Sequence, residues 1–175
     1  MRAQGGLPAG AVVIEREAIP ASAHTERELV LWMISSEKHD RGSYSEKNPY
    51  MCPERTRGSY FSGPTRISLV DTGSGKTINT VVLRSSVDEA DTFDVPYRIL
   101  ADWPYLVPGT PKDAEGKPHL LALRDLNGDG LALETAFFEA IACMGLPSTL
   151  IGSSPRQDKV IQYQVELKLR SPSGR

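Results

Sequence analysis

The chain predicts a mainly β domain of α+β type, an antiparallel, sandwich-like sheet with one helix in its C-terminal half. Short apolar runs rich in Val, Ile and Thr recur between turns marked by Gly and Pro, as strands do. Within residues 159–169, Ile161, Tyr163, Val165, Leu167 and Leu169 alternate with Gln162, Gln164, Glu166 and Lys168, the pattern of a half-buried strand. One further segment, residues 131–144, places Leu133, Phe137, Ala140, Ile141 and Met144 on a single helical face.

With 175 residues the chain fits one domain large enough to bury a core. Residues 11–170 are assigned to that domain, 1–10 to a flexible N-terminal segment and 171–175 to a tail. The 20 basic and 22 acidic residues leave a net charge of −2, and no basic run occurs, so the sequence carries no nucleic-acid footprint. No apolar stretch approaches the roughly 20 residues of a membrane-crossing helix. The first ten residues lack the apolar stretch of a signal peptide. Oligomeric state is not legible.

Taken in order, the first strand is expected over residues 11–17, with Val12, Val13 and Ile14. Residues 28–35 carry Leu29-Val30-Leu31-Trp32-Met33-Ile34, apolar on both faces and therefore a central strand. Residues 36–64 show no period and are broken by Gly42, Pro49, Pro53, Gly58 and Gly63, and a loop of that length is functional or pinned. Residues 66–70 and 77–84 flank the turn Asp71-Thr72-Gly73-Ser74-Gly75-Lys76 and form a hairpin. Short strands are expected over 93–100 and 119–124. The helix over 131–144 ends at Gly145 and Pro147. Strands 149–153 and 159–169 close the chain, joined through Pro155-Arg156-Gln157-Asp158.

The most specific chemistry lies in Asp125-Leu126-Asn127-Gly128-Asp129-Gly130. Oxygen-bearing side chains at positions one, three and five, with glycine at six, form the front half of a calcium loop. A hard divalent cation takes several oxygen ligands at about 2.3–2.6 Å, and the glycine allows the sharp turn. The segment resembles the calcium loops of EF-hand-like proteins, including dockerin modules and integrin-type propeller repeats, over about a dozen residues. That resemblance implies Ca2+ as the cofactor and Asp125, Asn127 and Asp129 as side-chain ligands. The carbonyl of Leu131 at position seven, Glu134 at position ten and the nearby Glu139 are the candidates to complete the shell. Position twelve, a bidentate glutamate in a full EF-hand loop, is Ala136 here, and position nine is Leu133. The competing expectation is a metal-free turn with Asp129 as a helix cap.

Other motifs are weaker. Gly73-Ser74-Gly75-Lys76-Thr77 matches the end of a phosphate-binding loop, but Val70 stands where a small residue is needed and a strand pattern follows. His24, His39 and His119 form no HExxH, and the cysteines have no CxxC spacing. No GxSxG nucleophile elbow occurs. A Cys52–Cys143 disulfide would pin the long segment to the end of the helix, the alternative being two separate thiols; an oxidising compartment favours the bridge. Tyr44, Tyr50, Arg55, Arg57, Tyr60 and Phe61 make the long segment a candidate contact surface for a protein or carbohydrate ligand. Inward packing of its aromatics is the competing expectation.

The first functional expectation is therefore a secreted or periplasmic, calcium-stabilised binding or interaction domain without catalytic activity of its own. A second is a small metal-dependent hydrolase using Asp125, Asp129 and Glu134, with His119 or His39 as general base. A third is a metal-free structural subunit.

Overall fold

A computed structural model describes residues 6–21, 23, 26–40, 59–84, 95–97, 119–138 and 148–163. Within them, only the backbone is described for 38–40, 59–62, 95–97, 137–138 and 148. The chain is mainly β, with strands β1 (Ala11–Ala18), β2 (Arg27–Ile34), β3 (Glu37–Asp40), β4 (Ser59–Ser62) and β5 (Thr65–Asp71). Then follow β6 (Thr77–Val82), β7 (Val95–Tyr97), β8 (Glu134–Phe138), β9 (Ser148–Ser154) and β10 (Lys159–Tyr163). All pairings are antiparallel, in sheets ordered β1-β2-β5-β6, β10-β9-β8 and β3-β4-β7. No helix among the described residues is long and apolar enough to cross a membrane.

The run in β2 takes the central place its composition predicts, flanked by β1 and β5. Leu29, Leu31 and Met33 face one side and Val30 and Trp32 the other, all of them buried. On the first side Leu29 stands opposite Leu69, and Leu31 opposite Ile67. These four, with Met33 and Leu83, join Leu120, Leu121, Leu133, Ile151 and Val160 in one buried cluster shared by the four-stranded sheet and the β8–β10 sheet. Each buried leucine or isoleucine there contributes about 1.5–3 kcal/mol against exposure to water.

On the second side Val30, Trp32 and Val70 are covered by Leu7. Trp32 Nε1 donates to Ser68 Oγ at 2.9 Å, and Ser68 shares a 2.8 Å hydrogen bond with Thr80 Oγ1, so the buried indole N–H is satisfied. The N-terminal segment reaches this face because Gly6 lies directly on the 75–77 backbone. A Cβ at Gly6 would come within 2.3 Å of the Gly75 carbonyl oxygen.

The β5–β6 hairpin forms as its turn sequence predicts. Asp71 Oδ1 accepts both the backbone N–H and the hydroxyl of Ser74, each at 2.7 Å. Thr77 opens a strand rather than a helix.

Three expectations need correction. Residues 36–64 are not wholly irregular: Glu37↔Ser62 through Asp40↔Ser59 continue the β2–β5 pairing past a bend at Ser35 (φ 53°) and Gly63 (φ 156°). The polar run Glu37-Lys38-His39-Asp40 hides that strand from any hydrophobic pattern. Residues 119–123 are not a strand, because the Leu120 and Leu121 amides donate to the Glu15 carboxylate, at 3.1 and 2.9 Å, instead of to a ladder.

The expected helix over 131–144 is not supported. Residues 134–138 form β8, paired with β9 from Glu134↔Gly152 to Phe138↔Ser148; residues 139–144 lie outside the described residues. Leu133 and Phe137 are four apart, a spacing that fits a helical face and one side of a strand equally well. Pairing with β9 decides between them, and Thr135 and Phe137 suit a strand.

Candidate metal loop

Residues 125–133 form a loop closed at its base by a backbone bridge. Arg124 N donates to Glu134 O at 2.7 Å, and Glu134 N donates to Arg124 O at 3.0 Å. Gly128 (φ 79°) and Gly130 (φ 86°) take left-handed conformations, which is why glycine is needed at both. The side chains at positions one, three and five fold the loop between them. Asp125 Oδ1 accepts the amides of Gly128 (2.7 Å) and Asp129 (3.2 Å), and its Oδ2 accepts that of Gly130 (2.9 Å). Asn127 Oδ1 accepts the Asp129 amide, and Asp129 Oδ1 the Leu131 amide, both at 2.9 Å. The Leu131 carbonyl accepts the Leu133 amide at 3.0 Å.

Glu134 sits beneath the loop with only 1% of its surface exposed. Its Oε2 accepts the Leu126 amide at 3.2 Å and its Oε1 accepts Asn127 Nδ2 at 3.1 Å, while the Tyr163 hydroxyl lies beside it across Gly152. Asn127 Nδ2 also donates to Asp129 Oδ2 at 3.1 Å, tying Asn127 to both carboxylates.

The electrostatics are one-sided. Among the described residues, no ion pair neutralises Asp125, Asp129 or Glu134. Burial first, then the charges of Asp129 and Asp125, push the Glu134 carboxyl above the usual glutamate range, against the opposing Leu126 amide and Tyr163 hydroxyl. A carboxyl raised in this way adds stability while protonated, and that stability is lost as pH rises through its folded pKa. Burial first, then the charges of Glu134 and Asp129, also raise the Tyr163 phenol.

The sequence candidates Asp125, Asn127, Asp129 and Leu131 thus share one loop, with Glu134 of β8 directly beneath it. Their oxygens are turned largely toward the loop's own amides. Among the described residues no three His, Cys, Asp or Glu side chains form a group that could hold a metal ion as they stand. Each carboxylate oxygen has two acceptor positions, so Asp125 Oδ2, Asp129 Oδ1 and Asp129 Oδ2 keep accepting capacity beyond the bonds they make.

Other candidates lie elsewhere. His119 Nε2 is 3.1 Å from Glu15 Oε1 and 3.2 Å from Glu17 Oε2, an arrangement that fastens residue 119 to β1. His39 pairs with Tyr60 between β3 and β4, and Phe61 stands between Lys38 and Val95. His24, Tyr44, Tyr50, Arg55, Arg57, Cys52 and Cys143 lie outside the described residues, and so does the Cys52–Cys143 bridge.

Sequence reasoning missed two residues of the loop's floor, Gly152 and Tyr163. A glycine inside a strand is a signal of close approach by another group, and Gly152 carried that signal. Compared with known protein families, curated proteins and solved structures, neither the sequence nor the fold finds a match.

Proposed function

We propose that the chain is a calcium-stabilised, sandwich-like β domain of a secreted or periplasmic protein, acting as a binding module. The observation that carries this reading is the concentration of Asp125, Asp129 and Glu134 in and directly beneath one short loop, with Glu134 buried and repelled by the other two. Carboxylates gathered without a counter-charge raise the free energy of the fold, and a bound dication reverses the sign of that term. Asp125, Asn127 and Asp129, with Glu134 and the Leu131 carbonyl, are the groups that would hold the ion. The motif's oxygen-only donor set suits calcium rather than zinc.

In this reading calcium secures the junction between residues 119–124 and β8. Contact with a protein or carbohydrate falls to the segment between β3 and β4, which carries Tyr44, Tyr50, Arg55 and Arg57, together with Tyr60 and Phe61 on β4. A Cys52–Cys143 bridge would tie that segment to the chain beyond β8. The test is calorimetric titration of calcium into EDTA-treated protein. Wild type is expected to bind one ion and Asp125→Ala/Asp129→Ala none. Absence of binding to wild type at millimolar calcium would remove the basis of the reading.

A further inference from the structure

We propose that Tyr163 is a positioning residue that fixes the Glu134 carboxylate beneath the loop, and that Gly152 exists to let it through; its consequence for calcium rests on the function proposed above. Glu134 on β8 is directly opposite Gly152 on β9. Gly152 is opposite Ile161 on β10, and Tyr163 is opposite Leu150. Tyr163 therefore reaches Glu134 only by crossing β9 diagonally, over residue 152. A Cβ at that position would lie 2.7 Å from Tyr163 Cε2, 3.0 Å from the Tyr163 hydroxyl oxygen and 3.1 Å from Glu134 Cγ. The first is closer than packed atoms come and the other two are tighter than most contacts, so a side chain at 152 displaces the Tyr163 ring and crowds the glutamate.

The chemistry divides the Glu134 carboxylate between two sets of donors. The Leu126 amide and Asn127 Nδ2 approach from the loop, and the Tyr163 hydroxyl approaches from β10. A phenol donating to a carboxylate makes a charge-assisted hydrogen bond, stronger and more directional than a neutral one. It fixes where the buried carboxylate points, and hence which of its lone pairs face the loop. An aromatic ring laid over a strand glycine also stabilises a sheet by packing alone. Tyr163→Phe separates the two roles, because it keeps the ring and deletes only the hydroxyl.

The experiment has a thermal arm and a calcium arm. In EDTA-treated protein, Tyr163→Phe is compared with wild type, and Glu134→Ala/Tyr163→Phe with Glu134→Ala. The hydroxyl's effect on Tm is expected in the first pair and absent from the second; equal effects in both pairs would overturn the proposal. In calorimetric titration, Tyr163→Phe is expected to bind calcium about tenfold more weakly than wild type, and Gly152→Ala at least as weakly as Tyr163→Phe. Equal affinity of wild type and Tyr163→Phe would likewise overturn it. Absence of calcium binding to wild type defeats the proposed function instead, and the thermal arm then decides Tyr163 on its own.

Discussion

Asn79 does with a side chain what a neighbouring strand does with its backbone. Its Nδ2 donates to the Val160 carbonyl at 2.8 Å and its Oδ1 accepts the Val160 N–H at 2.9 Å, joining β6 to β10. Val160 is buried. Asn79→Ala leaves both of its main-chain groups unpaired and should cost about 2–3 kcal/mol, read from denaturant unfolding. A loss below about 0.5 kcal/mol would show that water replaces the amide without penalty. Arg27 is a second such joint, paired with Asp71 of the β5–β6 hairpin and, at 3.0 Å, with Asp158 in the β9–β10 turn. The Ser74 amide and hydroxyl, and then Arg27, hold the Asp71 carboxyl below the usual aspartate range. Its contribution is present above the ordinary aspartate pKa of about 4 and is lost as pH falls through the depressed value. Asp71→Asn should therefore lose less Tm than wild type on acidification below about pH 4, and identical acid slopes would contradict this. The Asp71 turn was legible because its chemistry is local. Asn79 was not, since its partner lies 81 residues away.

At the scale of elements, local chemistry again decided what could be read. The Asp125–Gly130 loop was legible because its three folding side chains and two left-handed glycines fall within six consecutive residues. Its neighbours were not. The pattern around Leu133 and Phe137 satisfies both periods, and only β9, further along the chain, settles it as a strand. Nor could the 119–123 segment be read: its amides are claimed by Glu15, a residue more than a hundred positions earlier. The reassignment of 134–138 has a direct test in Ala136→Val, at a half-buried position opposite Leu150. A β-branched residue favours a strand, whereas in a helix it would cost about 0.5 kcal/mol. Tm is therefore expected to hold or rise, and a fall of about 1–2 °C would speak for helical structure.

For the whole molecule, the core was the most legible feature. Most of the residues between the sheets come from the apolar runs that marked the strands, with Leu29, Leu31, Met33, Ile151 and Val160 among them. How the sheets are coupled was not legible, because it depends on the shared cluster and on the Asn79 and Arg27 joints, all made across long sequence separations. That coupling gives the loop its reach. Leu133, which leads into β8, is a member of the shared cluster, and Glu134 follows it directly. An ion held at the loop should therefore stabilise the cooperative unit rather than one turn. Thermal unfolding in millimolar calcium and in excess EDTA, for wild type and Asp125→Ala/Asp129→Ala, tests this most directly. At calcium a hundredfold above its dissociation constant, binding to the native state alone adds about 2.7 kcal/mol. Wild-type Tm is predicted to rise by several degrees with calcium, while the double variant melts at one temperature in both buffers. Superimposable wild-type melts would contradict a calcium-stabilised fold.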